Sequence, residues 1–132
     1  MADSYPTTSF KLSTMTQAGV LGTIFDLALG DDGGPQLCQD AEELRQATAL
    51  RLLMVRGEAW EDLACGLPWH SLAGMKPTNR DLLRFEMLTE LRKDARIRQV
   101  DSLSITEDVL RRSVSVTAYV TARDGSKVKV TL

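Results

Sequence analysis

Glu58, Glu61 and Asp62 gather three carboxylates within five residues, with Trp60 among them and Trp69 just beyond. Two carboxylates facing each other across a cleft, one raised in pKa by burial, can cleave a glycosidic bond, so the chemistry this cluster could do is that of a peptidoglycan muramidase. Spacing alone makes no cleft, and aromatic residues for sugar stacking are only 5% of the chain. A structural role competes: Glu58 and Asp62 accept hydrogen bonds from loop amides while Trp60 and Trp69 pin the loop to the core.

The other reactive side chains are sparse. Cys38 and Cys65 lie 27 residues apart, without the short paired spacing of zinc or redox motifs, and His70 is the single histidine. A protein zinc site would need all three and a carboxylate to converge, so two buried reduced thiols are expected instead, with no metal and no cofactor. Gly30 to Gly34 is glycine-rich but lacks the lysine of a phosphate loop. Arg92, Lys93, Arg96, Arg98, Arg111 and Arg112 are interleaved with Asp94, Asp101, Glu107 and Asp108, the pattern of a solvated or salt-bridged surface rather than a nucleic-acid interface. The expectation is a protein without enzymatic activity; a small cytoplasmic adaptor protein stands beside the muramidase as the other alternative.

Several elements must position these residues. The chain has 132 residues, 43% hydrophobic and 26% charged, which suits one ordinary globular domain. Its longest apolar stretch, Ala49 to Val55, is interrupted by Arg51 and is too short to span a bilayer, and Met1 to Met15 lacks the apolar core of a secretory signal, so an intracellular start without a membrane segment is expected. Residues 1–66 carry 4 basic against 10 acidic side chains, and residues 67–132 carry 12 against 8. Halves of opposite sign suit docking between subunits or head-to-tail stacking better than they suit a phosphate backbone.

Residues 1–18 are rich in serine and threonine and predict a flexible arm, with a single domain over 19–132. Phe25, Leu27 and Leu29 alternate as a short strand before the turn residues Gly30 to Pro35. Asp40 and Glu43 have the form of a capping box, and Ala41, Leu44, Thr48, Leu52 and Val55 make one helical face, so a helix over 40–56 is expected, closed by Gly57. Thr78 and Asp81 start a second helix running to Lys93. Its apolar residues Leu82, Leu83, Phe85, Met87, Leu88 and Leu91 spread around most of the wheel, more than one buried face needs, which leaves apolar surface for a partner.

From Ile97 the period becomes two. Val114, Val116, Ala118, Val120 and Ala122 share one strand face against Ser113, Ser115, Thr117, Tyr119 and Thr121, and Val128, Val130 and Leu132 repeat the rule. The fold class is therefore α+β: two main helices on one face of a small, mainly antiparallel sheet with a C-terminal β-hairpin. A two-residue Asp124-Gly125 loop would set Val120 opposite Lys129 and split the valines between faces. A three-residue loop, Arg123 to Gly125, pairs Val120 with Val128, Ala118 with Val130 and Val116 with Leu132, and is the expected register. The final strand, ending on Leu132 with no polar tail, offers an edge that is either capped by the chain or presented to a neighbour.

The set Gly57-Glu58, then Gly66-Leu67-Pro68, then a helix ending Leu91-Arg92-Lys93-Asp94-Ala95-Arg96-Ile97, then hydroxyl-alternating strands, resembles the baseplate wedge and sheath-initiator family of contractile phage tails. That family includes baseplate assembly protein W and wedge proteins once labelled lysozyme-like, and the overall cast is nearest to Mu-like phages. The resemblance covers about residues 20 to 132. It implies a docking role onto the wedge core bundle for the family's Glu-Pro-Arg motif, whose counterpart here is Asp94-Ala95-Arg96 with the proline absent. It also implies strand pairing with sheath subunits through Lys127, Val128, Lys129, Val130 and Leu132. Gly57, Glu58, Trp60, Gly66, Pro68 and Trp69 would structure the loop between the helices. The implied partners are other wedge proteins, the tail tube and the sheath, with several copies around the tail axis. The implied location is the virion baseplate, reached through the host cytoplasm, and the same family serves phage-derived bacteriocins and secretion machines.

Overall fold

The computed structural model describes residues 8–15, 24–72, 80–111 and 113–132. Along the chain come β1 (Thr8–Phe10), β2 (Leu12–Met15), β3 (Ile24–Leu27), β4 (Leu37–Gln39), α1 (Asp40–Leu53), α2 (Trp69–Leu72), α3 (Arg80–Arg92), β5 (Ile97–Asp108), β6 (Ser113–Ala122) and β7 (Lys127–Thr131). The expected α+β class with its C-terminal hairpin is what forms.

The main sheet has the order β5-β6-β7, antiparallel throughout. Its pairing follows the three-residue loop: Val120 faces Val128, Ala118 faces Val130, and Val116 and Leu132 exchange both backbone hydrogen bonds. Gly125 takes φ +89°, the left-handed residue that such a loop requires. One face buries Leu103, Val116, Ala118, Val120, Ala122, Val128 and Val130. The other carries Ser102, Ser104, Ser115, Tyr119, Lys127 and Lys129 toward solvent. Val114 departs from the expectation and is half exposed, because the β5–β6 hairpin reaches beyond the helices that cover the rest of the face.

Helix α1 lies over β7 and α3 over β5, closing the core with Leu44, Ala49, Leu52, Met87 and Leu91, together with Leu67 from the loop between them. The expected capping box at the start of α1 does not form. β4 runs into the helix without a loop, so Asp40 takes φ +53° to make the corner, Gln39 occupies the cap position without a side-chain bond, and Glu43 is drawn to Arg96 instead. Helix α1 stops at Leu53 rather than 56, since Met54 turns extended to pair with Leu67. The expected start of the second helix at Thr78 lies outside the described residues.

Residues 8–15, expected to belong to an arm, form strands. β1 pairs with β4 and β2 with β3, and between them the Gln46 side chain accepts from Leu12 N at 2.8 Å and donates to the Phe10 carbonyl at 2.8 Å. A glutamine amide has the same donor and acceptor as a peptide group, so Gln46 serves as one extra rung of pairing and ties this ribbon to α1. No described helix is long and apolar enough to cross a membrane.

Candidate docking surfaces

The two outer strands of the main sheet each leave one row of peptide groups facing outward. In β7 the even residues 126 to 132 bond inward to β6, as the Ala122–Ser126 and Val116–Leu132 bonds fix, so the N–H and C=O of Lys127, Lys129 and Thr131 point away from the sheet. No described strand pairs with them. The lysine side chains lie on the solvent face, with Lys129 Nζ 5.8 Å from the Tyr119 ring centre. Of the sequence-derived strand residues, Val128 and Val130 are buried in the chain's own core and Leu132 packs against it.

β5 treats its edge differently. Its pairing with β6 shifts register between Ile97 and Gln99 and again between Val100 and Ser102, two irregularities that bend the strand. Arg84 from α3 donates to the outward Leu103 carbonyl at 2.8 Å, and Arg80 pairs with Glu107 at 3.1 Å. The second shift places Asp101 where Thr121 Oγ1 can donate to it at 2.6 Å; that bond and one from Gln99 hold its carboxyl below the usual range despite slight desolvation.

Asp94 and Arg96, the counterpart of the family motif, come together in a turn that links α3 to β5. Arg96 grips Asp94 twice, Nε at 3.0 Å and Nη2 at 2.8 Å, its own N–H bonds the same carboxylate at 3.0 Å, and Nη1 donates to Glu43 of α1. Asp94 is 7% exposed. Burial pushes its carboxyl upward, but the Arg96 hydrogen bonds and the charges of Arg96 and Arg51 outweigh that and leave it below its ordinary value. The same Asp94 bonds raise Arg96. This geometry clamps the turn to α1, so these two side chains are committed first to their own chain.

A second clamp holds the loop between the helices. Glu90 of α3 is 0% exposed and accepts from Gly66 N at 3.0 Å and Lys93 Nζ at 2.7 Å, with Arg51 at 3.5 Å. Burial raises its carboxyl, yet the Lys93 and Gly66 bonds and the two cations bring it below the usual range. Gly66 has φ +94°, and a Cβ there would stand 2.5 Å from the Met54 carbonyl, so the close approach demands glycine. Gly57 at φ +90° turns the other end of the loop, with Glu58 N bonded to the Val55 carbonyl. Pro68 supplies the carbonyl that starts α2, and Trp69 Nε1 donates to the Leu52 carbonyl at 3.1 Å, tying this end of the loop to the last turn of α1.

Trp60 corrects the expectation: it does not pin the loop but stands 85% exposed. Glu58, Glu61 and Asp62 are exposed beside it, and Asp62 accepts from Ala64 N within the loop. All three carboxylates are exposed, without the burial of one member that glycosidic cleavage relies on. Cys38 is buried against Ser9 and Gln46, and Cys65 lies on the loop, both as free thiols. The residues that sequence reasoning passed over are Gln46, Glu90 and Arg84. Glu90 carried a signal: it sits between Met87 and Leu91 on the apolar side of α3, where a charge has to find partners.

A family model described as contractile injection system sheath initiator matches residues 21–125, most of the chain, and the chain belongs to that family. No curated protein matches it. Membership gives the chain a structural role in assembling the sheath of a contractile injection system. The matched stretch takes in every described element from β3 to β6, while β7 begins two residues beyond it.

Proposed function

We propose that this chain seeds the sheath by accepting a strand from a sheath subunit along β7, while the turn at 94–96 and the outer face of α3 are held against the baseplate wedge. One observation carries the reading: β7 offers a regular row of outward peptide groups at Lys127, Lys129 and Thr131, on a strand whose inner side is anchored by Val128 and Val130. Main-chain pairing needs little from side-chain identity, which suits a first ring of identical subunits. On α3, Leu82 and Phe85 are exposed and would face the wedge, while Asp94 and Arg96, clamped to their own chain, would hold the shape of the turn rather than contact the wedge directly. Several copies would surround the tail axis beside the tube.

Lys129→Pro tests the strand. Proline removes an N–H that the chain itself does not use, and an edge strand tolerates it. The variant is expected to keep the fold and thermal stability of the parent while tails assembled with it carry no sheath by electron microscopy. Normal sheath on those tails would refute pairing along this edge.

A further inference from the structure

We propose that copies of this chain bind one another head to tail, the acidic tryptophan loop of one entering the arginine-lined groove of the next. The loop is built to be presented. Its base is fixed by Gly66 N on Glu90 and by Lys93 on the Ala64 carbonyl at 2.9 Å, yet Trp60 and Leu63 stand 85% and 64% exposed at its outer turn. Around them the side chains of Glu58 and Glu61 have no hydrogen-bond or ion-pair partner among the described residues. A loop held rigid at its base loses little freedom on binding.

The groove has the complementary make-up. About 450 Å³ in volume, it runs between α3 and the bent edge of β5, with Leu88, Val100 and Leu103 among its apolar lining and Arg84, Arg92 and Arg98 as its cations. Arg92 and Arg98 have no ion-pair partner among the described residues, and the one carboxylate in the lining, Asp101, is taken by Thr121 and Gln99. Guanidinium groups stack on indole and bond carboxylates, so an acidic segment bearing a tryptophan is the ligand this lining fits.

The two surfaces cannot meet within one copy. Glu86, Glu90 and Lys93 face the loop side of α3, whereas Arg84, Leu88 and Arg92 face the groove on its opposite flank. A contact between unlike surfaces passes from copy to copy and closes into a ring or a short chain. The exposed charges make it weak and sensitive to salt.

Sedimentation of the full chain at low and high salt tests this with two variants at exposed positions: Glu58→Lys with Glu61→Lys, and Arg92→Glu with Arg98→Glu. The parent is expected to self-associate with rising concentration at low salt and to dissociate at high salt. Each variant alone should stay monomeric with unchanged circular dichroism. Mixing the two should restore association, because the intact loop of one meets the intact groove of the other. A monomeric parent at every concentration, association that survives in either variant, or a mixture that stays monomeric would each overturn the proposal, and none of these outcomes bears on strand pairing along β7.

Discussion

β5 and β7 bound the same sheet and treat their free peptide groups in opposite ways. β5 is long, twice irregular, and has its Leu103 carbonyl occupied by Arg84; β7 is short and regular, with nothing among the described residues bonded to Lys127, Lys129 or Thr131. Bending and side-chain caps are the usual means of stopping unwanted strand addition. A chain that uses them on one side and only two lysines on the other has left one edge able to pair. Lysines on the solvent face still discourage pairing with a second β7, since like charges directly opposite destabilise a ladder.

The largest effect expected from breaking this contrast is at Val130. Val130→Pro removes an inward N–H and a buried side chain, costing more than about 3 kcal/mol, so chemical denaturation should show a largely unfolded protein where Lys129→Pro does not. Equal damage from the two prolines would mean that β7 does not alternate as described. Next comes Glu90→Ala, which strands Lys93, Arg51 and the Gly66 amide; a loss of roughly 3 kcal/mol is expected from equilibrium unfolding.

Acid should act on the same clamps. Glu90 and Asp94 are both held below their ordinary values in the folded chain, so the stability they confer is fully present above the unfolded carboxylate value of about 4 and is lost as pH falls through the lower folded values. Melting temperature measured against pH should therefore fall on acidification in that window, and less steeply in Glu90→Gln. A smaller effect is expected for Arg84→Ala, which uncovers Leu103 for about 1 kcal/mol of stability and should raise light scattering by opening the guarded edge. Smallest is Thr48→Val: the Thr48 hydroxyl is buried without a partner among the described residues, so its removal should change stability by less than about 1 kcal/mol, toward a more stable protein.

The strand half of the molecule was largely legible in the sequence because period-two alternation has one consistent solution: only the three-residue loop keeps Val120 over Val128. The helices were legible as helices, but their ends were set by distant partners. Asp40 and Glu43 read as a local cap, yet the ion pair with Arg96, 53 residues away, took Glu43 elsewhere. Residues 8–15 read as an arm because what orders them, the Gln46 amide and strand partners further along, leaves no mark in their own composition. At the candidate surfaces, Asp94 and Arg96 were identified as a pair but not as an internal one, and Trp60 was placed inward because aromatic residues usually are.

The parallel bridge between Val55 and Leu67 leaves the ends of the intervening loop side by side. What lies between is then a cartridge seated in a fixed socket: its length and lettering can change while the socket stays shut, since lengthening a closed loop adds only about 0.6 kcal/mol per doubling. Diversity in such a protein has a ready place to accumulate without touching the helices or the sheet.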